Sequence, residues 1–76
     1  MNKNRRAALY DAACQLDEVM EAIREVQNEE QEAYDNLPEG FQNSSRGEAM
    51  LDAIDTMDEF ISDIEEIQKD IQDFTR

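Results

Sequence analysis

Asn36-Leu37-Pro38-Glu39-Gly40-Phe41-Gln42-Asn43-Ser44-Ser45 is where an apolar helical rhythm stops and then begins again. Pro38 has no backbone N–H to give a helix interior, and it biases Leu37 away from helical angles. A helix arriving from the N-terminal side therefore ends at about residue 36. Ser44 or Ser45 reopens one, and Ser45 with Glu48 three residues on fits a reciprocal capping box. The expectation is a single all-α domain over residues 1–76: a helix of about 4–36, a turn over 37–44 and a helix of about 45–74.

Upstream of the break, alternating steps of three and four pick out Leu9, Ala12, Leu16, Val19, Ile23, Val26, Glu30, Ala33 and Leu37, and eight of these nine are apolar. This is a heptad seam, widened on one side by Ala13, Met20 and Tyr34. Downstream, three apolar rows run at seven-residue spacing: Met50, Met57, Ile64 and Ile71; Ile54 and Ile61, continued by polar Gln68; and Ala53, Phe60, Ile67 and Phe74. One neighbouring helix covers about two such rows, so the third needs a different cover.

Folding the chain back at Pro38 pairs positions whose numbers sum to about 80, giving layers Leu9 with Ile71, Leu16 with Ile64, Val19 with Ile61, Ile23 with Met57 and Val26 with Ile54. Both seams share that register, which predicts an antiparallel helical hairpin. Such a hairpin leaves Met20, Phe60, Ile67 and Phe74 facing water, an apolar stripe that soluble monomers rarely carry. A two-fold dimer forming a four-helix bundle removes it, with those four residues at the dimer seam.

Composition narrows the functional classes. There is no histidine and only one cysteine, Cys14, so neither a disulfide within the chain nor a zinc site of the usual nitrogen and sulfur ligands is available. Nucleophile–base pairs built on histidine are absent for the same reason, and the chain is expected to be non-enzymatic, with no cofactor. Cys14 reads as a small packing residue. No apolar run reaches the ~20 residues that span a bilayer, and Met1 to Arg6 leads into no signal-peptide core, so the expected compartment is a reducing cytoplasm.

Twenty acidic residues against seven basic ones give a formal charge of −13. That charge disfavours direct contact with nucleic acid or anionic membrane and favours cationic partners. Lys3, Arg5, Arg6, Lys69 and Arg76 gather at the open end of the hairpin, where they offer an anion site or balance their acidic neighbours. Elsewhere the faces are acidic, with Glu18, Glu21 and Glu25 on the first helix and Asp52, Asp55, Glu59, Asp63 and Glu66 on the second. Glu30, at a core position, is expected to lean out to Arg46, and Gln68 to set register opposite Ala12. At the turn, Leu37, Phe41 and Met50 are expected to form an apolar plug with Gly40 in an unusual backbone angle. The alternative is a recognition tip of Phe41, Gln42, Asn43 and Arg46.

The segment from Glu29 to Met50, with Asn36-Leu37-Pro38-Glu39-Gly40 and the later Arg46-Gly47-Glu48, resembles an uncharacterised family of small acidic proteins from phages and prophages. The resemblance implies a mobile-element origin, hence the cytoplasm of a bacterial host cell, and no particular activity. The functional expectation is an acidic module that binds and blocks a basic surface of a host protein, as a nucleic-acid mimic or counter-defence inhibitor. The alternatives are a structural dimerisation or assembly module, and an anion or nucleotide sponge at the basic open end.

Overall fold

The computed structural model describes all of residues 1–76 and contains three helices: α1 (Lys3–Asp35), α2 (Glu39–Gln42) and α3 (Ser45–Phe74). The long helices lie antiparallel in a rod 59 × 15 × 12 Å across its Cα atoms. Its radius of gyration is 17.5 Å, where a compact domain of this length has about 11 Å.

α1 begins under the side chain of Asn2, whose Oδ1 accepts the Arg5 N–H at 2.8 Å. α3 begins one residue earlier than the capping-box reading requires. Ser44 is the cap, accepting the Gly47 N–H, while its own hydroxyl donates to the Phe41 carbonyl. Gly47 is needed here for space: a Cβ would stand 2.7 Å from the Gln42 carbonyl carbon and 2.9 Å from the Phe41 oxygen, well inside contact distance. The expected turn over 37–44 thus contains a single helical turn, α2. Gly40 has no positive φ, contrary to expectation, because α2 continues through it in ordinary right-handed geometry.

The register differs from expectation by one residue, and the rotation of α1 differs more. The Gln68 amide donates to the Ala13 carbonyl at 2.8 Å and to the Asp17 carboxylate at 3.0 Å. At the other end of the seam the Gln27 amide donates to the Ile54 carbonyl at 3.0 Å and to the Asp58 carboxylate at 2.6 Å. Each backbone contact pairs residues summing to 81. A long polar side chain that reaches a helix backbone must lie in the seam, so these two clasps turn the row Ala13, Met20, Gln27 and Tyr34 inward. Ala13 and Met20 are buried, and Gln27 and Tyr34 are half-buried. The competing row of Ala12, Val19, Val26 and Ala33, expected in the seam, is exposed. Met20, at 4% exposure, accordingly leaves the predicted dimer seam and sits beside Ile61 in the middle of the hairpin core. Leu9, Leu16, Ile23, Met57, Ile64 and Ile71 are half-buried, as their layers require.

The two clasps are related to each other. Adding 41 to Gln27, Ala13 and Asp17 gives Gln68, Ile54 and Asp58. The same shift superposes Asp11 on Asp52, Ala12 on Ala53, Glu18 on Glu59, Ile23 on Ile64, Glu25 on Glu66 and Gln31 on Gln72. It also pairs Val19 with Phe60, Met20 with Ile61 and Val26 with Ile67. α1 and α3 are therefore two versions of one pattern, and the hairpin carries a pseudo-two-fold axis across its middle.

Candidate functional site

The buried apolar core is thin, comprising only Ala13, Met20 and Ile61. Large apolar side chains lie outside it: Val26 is 55% exposed, Phe60 51% and Ile67 53%. These three share one face, while Tyr10, Phe41 and Leu51 are exposed away from it. Val19, Ala22, Ile23, Val26, Met57 and Phe60 line one open groove of about 450 Å³ that no polar side chain enters. Ile67 and Phe74 continue the Phe60 row toward the open end at helical seven-residue spacing. Three of the four predicted dimer-seam residues, Phe60, Ile67 and Phe74, are thus exposed. The fourth, Met20, is replaced in the exposed stripe by Val19 and Val26. The displaced row was visible in the sequence, but both α1 rows looked apolar enough for the seam, and the two glutamines that choose between them are silent until the partner helix is in place.

The acidic residues flank this face. Glu18, Glu21, Glu25, Asp52, Asp55, Glu59, Asp63 and Glu66 are all exposed. Glu21 sits 3.7 Å from Arg24, which also bridges to Glu65 at 3.2 Å; these pairs are well exposed and add little to stability. The carboxylates run along the rod, and no group of three or more His, Cys, Asp or Glu side chains gathers closely enough to hold a metal ion. Glu30 is half-buried and makes no ion pair with Arg46, contrary to expectation, because its position on α1 faces α3 rather than the tip. Cys14 is exposed rather than packed, since the rotation that buries Ala13 turns its neighbour outward.

At the closed end, Phe41 is 57% exposed and does not plug the hairpin, although Leu37 and Met50 are half-buried. Of the four tip candidates, Phe41, Asn43 and Arg46 are exposed, while the Gln42 amide is used internally, donating to the Tyr34 carbonyl at 3.3 Å. At the open end, Lys3 and Arg6 line a shallow groove of about 300 Å³ with Tyr10, Asp11 and Thr75. Arg5, Lys69 and Arg76 do not line it. Arg76 instead pairs with Asp73 at 3.5 Å, and the Asp11 carboxylate opposes an anion in the groove.

No helix is long and apolar enough to cross a membrane. No protein-family model matches the chain, and neither the curated proteins nor the solved structures contain a significant match. The resemblance to phage and prophage proteins gains no support from these comparisons.

Proposed function

We propose that the chain is a non-enzymatic protein-binding module, phage-encoded and acting in the cytoplasm of a bacterial host. It works as a homodimeric four-helix bundle whose anionic flanks engage and block a basic surface of a host protein. One observation carries this reading: Val19, Val26, Phe60 and Ile67 make one exposed apolar stripe, and on the rest of the helix surface exposed carboxylates far outnumber exposed cations. Pairing two copies through the stripe hides it and leaves an exterior dominated by negative charge.

Carboxylates three or four residues apart on a helix stand about 5–6 Å from one another, a dense anionic row comparable to a nucleic-acid backbone. Asp52, Asp55, Glu59, Asp63 and Glu66 follow that spacing along α3. Charge of this kind speeds encounter with a cationic surface and makes affinity fall with salt.

The test is affinity for the captured host partner across a salt series, repeated with Asp55→Asn, Glu59→Gln, Asp63→Asn and Glu66→Gln combined. Affinity should drop with salt, and the neutralised variant should bind at least tenfold more weakly while remaining helical. Unchanged binding and unchanged biological activity in that variant would assign the acidity to solubility and the chain to a structural assembly role.

A further inference from the structure

The orientation of the second copy is also written in this surface. Resting on the dimer reading above, we infer that the two hairpins pack face to face and antiparallel, so that the basic open end of each lies over the acidic closed end of the other.

The face itself fits a standard interface. A rod 59 Å long and 15 Å wide presents roughly 900 Å² per copy, where a stable protein–protein contact takes about 800 Å² from each partner. Its apolar pattern alone does not set direction. Because the shift of 41 relates Val19 to Phe60 and Val26 to Ile67, the face has a pseudo-two-fold axis perpendicular to it, near the buried pair Met20 and Ile61. Turning one hairpin end for end about that axis replaces each apolar row by its equivalent. In the parallel dimer Val19 lies against Phe60; in the antiparallel one each of these residues meets its own copy near the dyad. In both, a large side chain of the stripe falls against a small one, Ala12 or Ala53.

Charge breaks the tie. Five of the seven cations stand at the open end against Asp11, Asp70 and Asp73, whereas Glu29, Glu30, Glu32, Asp35, Glu39 and Glu48 stand at the closed end against Arg46 alone. A parallel dimer stacks like on like at both ends, and an antiparallel dimer opposes them at both. The placement of these charges runs against the interest of α1 by itself. Its first turn has no acidic residue and its last turn no basic one, the reverse of what the helix dipole favours. Beside α1 the antiparallel α3 has the opposite dipole, so the two offset each other at each end, and the end-to-end difference in charge is met by the far end of a second copy.

Orientation is read by placing one nitroxide label at a hairpin end in a Cys14→Ser background, at Asn43→Cys or at Asn4→Cys, both positions being exposed. Dipolar electron resonance on dimers labelled only at Asn43→Cys should give a separation close to the 59 Å length of the rod. Mixing the two labelled chains should create a short separation of roughly 20 Å, about two interhelical spacings. A short separation with Asn43→Cys alone would establish the parallel arrangement, overturning this inference while leaving the dimer intact. Separations that stay long in the mixture would also overturn it. A single-chain mass by sedimentation at the labelling concentration would remove the dimer itself, and with it the reading on which the orientation rests.

Discussion

Two rows of α1 invite comparison. Ala12, Val19, Val26 and Ala33 are apolar throughout; Ala13, Met20, Gln27 and Tyr34 include an amide and a phenol. By hydrophobicity alone the first row belongs inside, yet the second row faces α3 and the first faces out. The inner row meets a backbone that has carbonyls to offer, and Gln27 uses one, as Gln68 does from the other side. A polar residue in a helical seam costs stability and gains a defined register. The outer row carries no such anchor: it is a plain apolar surface continuous with the Phe60 row of α3, suited to a contact with another chain rather than to fixing the fold of its own.

Mutations that treat the two rows differently sharpen this contrast, and the largest effect belongs to the outer face. Phe60 is already half covered in the single hairpin, so Phe60→Ala should remove about 1 kcal/mol of dimer burial from each chain and weaken the dimer by roughly 30-fold, shifting the sedimentation profile toward the monomer at micromolar concentration. Met20→Ala acts on the inner row. It should lower hairpin stability by about 2 kcal/mol, toward the low end for a buried methionine because the two-helix core is open and collapses readily. Its signature is a reduced chemical-denaturation midpoint at fixed protein concentration, while the association constant of the folded chain stays near wild type. If Met20→Ala dissociated the dimer as strongly as Phe60→Ala, the two rows would not be separate surfaces.

The smallest effect in stability is expected for Gln27→Leu with Gln68→Leu. Leucine suits a seam position, and replacing both clasps should change unfolding free energy by no more than about 1 kcal/mol. What should be lost is uniqueness: with the amides gone, the Val19 and Met20 rows compete for α3, and the backbone amide resonances of α1 should double or broaden. A single sharp set of resonances from this variant would show that apolar packing alone chooses the inner row.

Much of the fold was legible in the sequence. Pro38 marks the break, the heptads mark the helices, and the common register of the seams marks the hairpin to within one residue. The rotation of α1 was not legible, because Val19 and Met20 are adjacent and both apolar, and only the reach of Gln27 and Gln68 across the seam separates them. The tip was misread for a related reason. Phe41 looks like a plug by hydrophobicity, but the α2 turn projects it outward. Nothing in the residues around Gly47 signals its closeness to the α2 backbone. The 41-residue repeat was present in the residues all along; its conservative pairs, such as Val19 with Phe60, become conspicuous once the two glutamine clasps align them.

In the proposed dimer a second copy closes the face formed by Val19, Val26, Phe60 and Ile67. Sedimentation equilibrium over a hundredfold range of concentration measures this directly. The wild-type mass should be twice that of the 8.8 kDa chain at micromolar concentration and above, and in Phe60→Ala it should fall toward that of one chain. A fully helical wild-type protein that remains at the mass of one chain throughout would contradict the dimer.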